Sequence, residues 1–263
     1  DSANLSLVMQ KVDECVPTVF ITLHALKQIP FHEANDYAQK ICTRILNMCS
    51  YHGFRDKVHE VQIDCDWTET TENTYFRLLD EMRYILHAQG IILSATIRLH
   101  QLRTTVPPVD RGVLMLYNTG SLKHPETKNS ILSYVDAMPY LKRINYSLPL
   151  DYAFPNFGWG VWFCNNAFQA ILHQQDYSDE NLYEQTDSTH YRVIKNHYNE
   201  GHWLICGDII RKEVSEMVAI EQIKQYLPFS EETSIIMYHL DENNLKKLDD
   251  YEISTFYSRP AAE

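Results

Sequence analysis

Short apolar runs alternate with amphipathic stretches along most of the chain. Residues 18–24 (TVFITLH) are rich in β-branched side chains and predict a strand. Residues 34–49 follow as a helix, with Ala34, Tyr37, Ala38, Ile41, Ile45 and Met48 at helical spacing. Residues 58–66 (VHEVQIDCD) predict the next strand. The strongest helical pattern covers 71–89, where Tyr75, Leu78, Leu79, Met82, Ile85 and Leu86 form one stripe. Thr71 is placed to cap that helix and Gly90 to end it. Residues 91–97 (IILSATI) and 111–117 (RGVLMLY) predict two buried strands. A helix over 130–141 must end or kink at Pro139. A strand over 148–154, helices over 166–174 and 213–226, and a strand over 234–240 (SIIMYHL) complete the pattern. Residues 175–200 read as polar and irregular, with a hairpin between 191–194 and 203–206 through the Gly201 region. The chain opens on a helical stretch over 5–16.

Strand, helix, strand, helix implies an α/β fold with a parallel sheet and helices outside it. No glycine-rich phosphate loop follows the first strand, which argues against a dinucleotide site or a P-loop. A (β/α)8 TIM barrel and an open doubly wound sheet remain. About six major strands are visible, whereas a closed barrel needs eight. The expectation is one (β/α) barrel domain over residues 1–263 with an irregular insertion at about 175–206. Either the first one or two strand-helix units lie upstream of Asp1, or the barrel is incomplete.

Composition narrows the partners. The 263 residues carry 35 acidic and 23 basic side chains, a formal net charge of -12, which disfavours nucleic acid and anionic membrane. No apolar run is long enough to span a bilayer. Seventeen Tyr and four Trp are suited to sugar-binding clefts, which need flat apolar faces with polar rims. The six cysteines form no CxxC pair, so buried free thiols are expected rather than a zinc ribbon or a redox motif.

In a barrel the working side chains sit at the C-terminal strand ends. Those positions supply His24, then Asp64, Asp66 and Trp67, then Arg98 and His100, then Tyr117 and Asn118, then Asp151 and Tyr152 with Trp159 beyond, and finally Tyr238, His239 and Asp241. The densest segment is Gln62-Ile63-Asp64-Cys65-Asp66-Trp67. Alternation puts Gln62, Asp64 and Asp66 on one strand face. Two neighbouring carboxylates can divide acid and base roles between them. Arg98 could instead neutralise either acid and make the cluster structural. His24, Asp64, Asp66 and His100 show no metal-ligand spacing, so neither metal nor cofactor is expected. No G-x-S-x-G elbow supports serine catalysis.

The same segment resembles the fourth strand of the family 18 glycoside hydrolases, the chitinase-like barrels, whose motif is D-x-x-D-x-D-x-E. Asp64 and Asp66 match its second and third acids. Val61 stands for the first acid, and Thr68 for the catalytic Glu. Glu69 is one place late, and one residue of slip turns a strand side chain to the other face. Met115-Leu116-Tyr117-Asn118 resembles the family's M-x-Y-D, with Asn for Asp. The stretch from Leu148-Pro149-Leu150 to Phe154-Pro155-Asn156-Phe157-Gly158-Trp159-Gly160 resembles a later strand and turn, G-x-P-x-Y-G-R. The chain is also similar to an uncharacterised group of exported bacterial barrel proteins that carry Q-[IL]-D-x-D and an LP-x-[FY]-x-W-G turn.

The resemblance implies a glycoside-hydrolase-like protein that acts on or binds an oligo- or polysaccharide, in a periplasmic or cell-surface lipoprotein setting. Asp64, Asp66, Tyr117 and Asp151 are then the catalytic candidates. His24, Trp67, Arg98, Asn118, Trp159 and Tyr238 are the substrate-binding candidates. The departures at Thr68 and Asn118 favour a second reading, a non-catalytic glycan-binding protein on a degenerate barrel.

Overall fold

The computed structural model describes residues 11–142 and 144–260. The described chain divides into two compact units, residues up to 115 with 145–151, and residues 116–144 with 152–260.

The first unit is a parallel αβ layer. Its strands are β1 (Thr18–Phe20), β2 (Glu60–Asp64), β3 (Ile92–Arg98) and β4 (Arg111–Met115), paired in parallel in that order. The Gly112 N–H donates to the Pro149 carbonyl at 2.9 Å and brings the chain entering β5 (Leu150–Pro155) beside β4. Between the strands run α1 (Leu23–Lys27), α2 (Ala34–Tyr51) and α3 (Glu72–His87). The stripe predicted for α3 is buried apart from the half-buried Ile85, whereas the buried face of α2 is rotated from the predicted stripe, with Cys42, Leu46 and Cys49 inside, Tyr37 and Ile41 half-buried and Met48 exposed. Ala34, Ala38, Cys42, Ile45, Leu46 and Cys49 of α2 and Tyr75, Leu78, Leu79, Met82 and Leu86 of α3 all lie in one core cluster. Each large apolar side chain buried there contributes roughly 1.5–3 kcal/mol.

Local chemistry moved several boundaries in this unit. The first strand ends at Phe20 because the Thr22 hydroxyl accepts from the Ala25 N–H at 3.0 Å and starts α1, so His24 sits on a helix. Thr71 occupies the N-cap of α3 but makes no cap bond, because its hydroxyl is engaged with the Thr68 backbone. Gly90 ends that helix at φ +71, where a side chain would be strained. Residues 11–16 carry no helix, and the rest of the expected opening helix lies outside the described residues.

In the second unit the rest of β5 pairs in parallel with β13 (Ile235–Tyr238), and the Leu116 N–H donates to the Ala153 carbonyl at 2.8 Å. The helices are α4 (Tyr134–Leu141), which runs two residues past Pro139, α5 (Met217–Lys224), α6 (Glu242–Leu245) and α7 (Asp250–Tyr257). Lys224 is buried and donates to the carbonyls of Thr255, Phe256 and Ser258, so a lysine closes the C-terminal end of α7.

The largest departure from expectation lies between 158 and 214. That stretch is an antiparallel sheet of five strands in the order β7-β6-β12-β9-β8, with a separate hairpin of two. The five are β6 (Gly158–Cys164), β7 (Ala167–Leu172), β8 (Tyr183–Gln185), β9 (His190–Val193) and β12 (Ile209–Val214). The hairpin pairs β10 (His197–Asn199) with β11 (His202–Leu204). The helix expected over 166–174 is strand β7, turned back by Asn165 and Asn166 at φ 49 and 61, the geometry a two-residue hairpin turn demands. The helix expected over 213–226 begins only at Met217, because β12 continues to Val214.

Gly160 shows how tightly this sheet is closed. A methyl group there would overlap the Tyr177 hydroxyl, which is fixed by donating to the Gln174 carbonyl at 2.7 Å. Gly160→Ala should therefore cost about 1–3 kcal/mol of overpacking. Urea unfolding monitored by circular dichroism should show a lower midpoint, and an unchanged midpoint would refute the packing argument.

Candidate functional site

At the end of β2 in the first unit, alternate side chains reach across to β3. Gln62 donates to the Ser94 hydroxyl at 3.4 Å, and Thr96 donates to Asp64 Oδ1 at 2.7 Å. Arg98 grips Asp66 with a fork, Nε to Oδ1 at 2.6 Å and Nη2 to Oδ2 at 3.1 Å. Gln62, Asp64 and Asp66 thus share one face, while Val61, Ile63 and Cys65 fill the core on the other. Burial pushes the Cys65 thiol up to about 12, aided by the carboxylates of Asp66 and Asp64, so it is no nucleophile.

The neighbouring candidates divide. Trp67 is 5% exposed and packed on Tyr75 and Phe76, so the unit's own core covers its faces. The Thr68 hydroxyl lies 3.0 Å from the Thr70 hydroxyl and forms a local clasp where a catalytic Glu was sought. His24 and His100 are exposed, one on α1 and the other in the helical turn after β3. Asp151 differs from its expected place. It is the second residue of β5, buried, and bonded to Arg111 at 3.2 Å, the first residue of β4. Both belong to strand beginnings, the end of a barrel associated with stability rather than chemistry. Glu60, the first residue of β2, has its carboxyl pushed up by burial and senses the charges of the same pair.

The second unit assembles aromatic rings just beyond its strand ends. Tyr117 stacks on Tyr238 with centroids 4.7 Å apart and planes within 7°. Phe157 meets both edge-on and also touches Trp159 and His239. Tyr238 closes β13 and is 45% exposed, whereas Tyr117 is buried under it. Asn118 is exposed with φ 55, a conformation asparagine tolerates well. Asp241 caps α6, its Oδ1 accepting from the Asn244 N–H at 3.0 Å.

Beneath these rings lies a cluster that sequence reasoning missed. Glu213 is fully buried and accepts from Arg211 Nε at 2.6 Å, from Trp159 Nε1 at 2.8 Å and from the Ser130 hydroxyl at 2.5 Å. Arg211 also donates to the carbonyls of His124 and Pro125. Alternation of Ile209, Arg211 and Glu213 was the available signal. Arg211 lies outside the elements expected from the sequence and Glu213 is expected to open a helix, whereas both stand on β12 as a buried pair. A separate cleft of about 880 Å³, with Lys128, Asn129, Phe163, Asp187 and His190 in its wall, contains none of the expected residues. No group of three or more metal-ligating side chains occurs among the described residues.

The chain matches no protein-family profile and no curated protein. Its fold matches solved structures. A chitinase from Chromobacterium violaceum has 9% identity and a TM-score of 0.60, over 100% of this chain and 84% of that one. The Bacillus cereus spore cortex-lytic enzyme SleL has 12% identity and a TM-score of 0.58, over 100% of this chain and 64% of that one. Catalytic domain 2 of an Ostrinia furnacalis Group II chitinase, a mutant in complex with penta-N-acetylchitooctaose, has 10% identity and a TM-score of 0.54, over 91% and 74%. The chain therefore has a partial (β/α) barrel fold of the kind seen in family 18-like glycosidases.

The buried cluster makes a clear demand on stability. Replacing Glu213 by Leu leaves the Arg211 guanidinium buried without its carboxylate, a loss of roughly 3–5 kcal/mol. Chemical unfolding of Glu213→Leu should show that drop, and wild-type stability would remove the pair from the structural account.

Proposed function

We propose that this protein binds N-acetylglucosamine-containing oligo- or polysaccharides on a glycosidase-type barrel that no longer hydrolyses them. The observation that carries the reading is the fork between Arg98 and Asp66. Cleavage of a glycosidic bond needs an acid free to protonate the leaving oxygen and, in most cases, a second carboxylate across the bond. Both oxygens of Asp66 face a guanidinium, Asp64 receives the Thr96 hydroxyl, and Thr68 stands where a proton donor would be. Asp151 is buried against Arg111.

Binding asks for less. A half-exposed Tyr238 ring, stiffened from below by Tyr117 and Phe157, offers a flat apolar face for a sugar. Trp159, held by Glu213, and the exposed amide of Asn118 add a rim. The polymer class rests on the chitinases among the structural neighbours, one with a bound chitooligosaccharide. An exported or surface location, with a lipoprotein anchor as its specific form, accords with such a ligand. No described helix is long and apolar enough to cross a membrane.

The hydrolase reading makes the opposite forecast, so one experiment separates them. Chitohexaose is titrated calorimetrically and its products followed by chromatography. Saturable binding without turnover is expected, and Tyr238→Ala should weaken binding by about tenfold, close to 1.4 kcal/mol. Turnover that disappears in Asp66→Ala would overturn the proposal in favour of an enzyme. Absence of any binding would overturn both.

A further inference from the structure

Two of the platform rings, Phe157 and Trp159, stand on the turn that enters β6, and the backbone of that turn is held from several sides. The Ser215 N–H and hydroxyl both donate to the Phe157 carbonyl, at 3.0 and 2.8 Å, and the hydroxyl accepts from the Phe157 N–H at 3.1 Å. Trp159 is held through its indole by Glu213. Between them stands Gly158, the first residue of β6, paired on one side with Val214 of β12. On the other side the pairing with β7 reaches only Gly160 opposite Leu172. Beyond it the N–H groups of His173 and Gln174 donate to the Glu200 carboxylate. A side chain supplies the next rung instead, with Gln175 Nε2 donating to the Gly158 carbonyl at 2.6 Å.

The other end of that amide fixes its orientation. Gln175 Oε1 accepts from the Lys247 ammonium at 3.1 Å, and the same ammonium donates to Asn244 Oδ1 at 3.3 Å. Turning the amide over would set its NH2 against the ammonium and its oxygen against the Gly158 carbonyl, replacing two bonds with two repulsions. Lys247 lies between α6 and α7, in the stretch that leaves β13 through Tyr238 and His239, both in contact with Phe157. There is little slack at the joint. A Cβ on Gly158 would come within 2.9 Å of Gln175 Oε1 and 2.7 Å of the Glu213 carbonyl.

We infer that Gln175 is a positioning residue for the aromatic surface, oriented by Lys247, so that the stretch after β13 governs how Phe157 and Trp159 are presented to a sugar. The inference rests on the sugar-binding reading proposed above and adds a control to it. Gln175 acts through the Gly158 backbone, and that role can be separated from a simple tether. Gln175→Glu keeps the tie to Lys247 as an ion pair, yet a carboxylate only accepts and cannot donate to the Gly158 carbonyl.

The test titrates the full chain and its variants calorimetrically with chitohexaose and follows the indole Nε1–H resonance of Trp159 by NMR, assigned with Trp159→Phe. Gln175→Glu and Gln175→Ala should each weaken binding by about three- to tenfold, the span of one lost hydrogen bond. Both should also shift the Trp159 resonance before any sugar is added. Lys247→Met, at an exposed position, leaves the amide without its orienting cation and should act in the same direction to a smaller extent. It decides the matter if the Gln175 variants do not fold, and wild-type affinity in it would then overturn the inference. Wild-type affinity in Gln175→Glu, or an unmoved Trp159 resonance, would overturn the inference and leave the sugar reading standing. No binding by the wild-type chain would overturn the sugar reading and this inference with it.

Discussion

A polar side chain at the end of a parallel strand needs a partner, and the partner it takes fixes what the strand end can do. Along β2 the partners come from the adjacent strand in step, Ser94 for Gln62, Thr96 for Asp64 and Arg98 for Asp66. The parallel register sets that pairing, since Gln62 lies opposite Ser94 and the residues two and four further on follow in turn. A forked contact between a guanidinium and a carboxylate uses both carboxylate oxygens and fixes their plane. The same geometry makes Asp66 an orderly surface feature with both oxygens engaged.

The second unit solves a harder problem of the same kind. Arg211 and Glu213 are wholly buried, and two buried charges cost more than they return unless every remaining donor and acceptor is met. Here the surplus donors of Arg211 go to the carbonyls of residues 124 and 125, and the surplus oxygen of Glu213 takes Ser130 and Trp159. One pair therefore ties a loop, a strand and an aromatic side chain together. The orientation of Trp159 follows from this burial, while the Tyr238 ring is set by stacking on Tyr117 and the edge of Phe157.

Much of the first unit was legible in the sequence because its periodicities are unmixed. The stripe of α3 and the buried runs of β3 and β4 have the expected residues inside, while α2 turns Cys42, Leu46 and Cys49 inward and leaves Met48 exposed. The shared face of Gln62, Asp64 and Asp66 followed from alternation alone. What alternation could not supply was the cross-strand neighbour, and Arg98 had been left with two possible roles. The antiparallel sheet was missed because its strands are short and polar on one side, and β7 lacks β-branched residues except Ile171. Its best local signal, the Asn165-Asn166 pair between two apolar runs, is a hairpin turn that was read as the start of a helix. Asp151 was expected near a strand end because the predicted strand began at 148, whereas β5 begins at Leu150 and runs on to Pro155.

A binding surface does not require a proton donor. Catalysis requires contacts that strengthen as the glycosidic bond breaks, whereas affinity requires only contacts with the sugar as it stands. On the proposed reading the ring stack of Tyr238, Tyr117 and Phe157 belongs to the second kind, since a stacked ring can meet the apolar face of a sugar whatever happens at its linkage. The contacts of Asp66 and Asp64 belong to neither while β3 holds them. Weakening that hold would release an acid without placing one above a bond, because Thr68 carries no carboxyl and the next acid, Glu69, follows it by one residue. On the proposed reading, hydrolysis would thus need a new side chain as well as a broken fork, so the fork at Asp66 and the aromatic surface support the same reading from opposite sides.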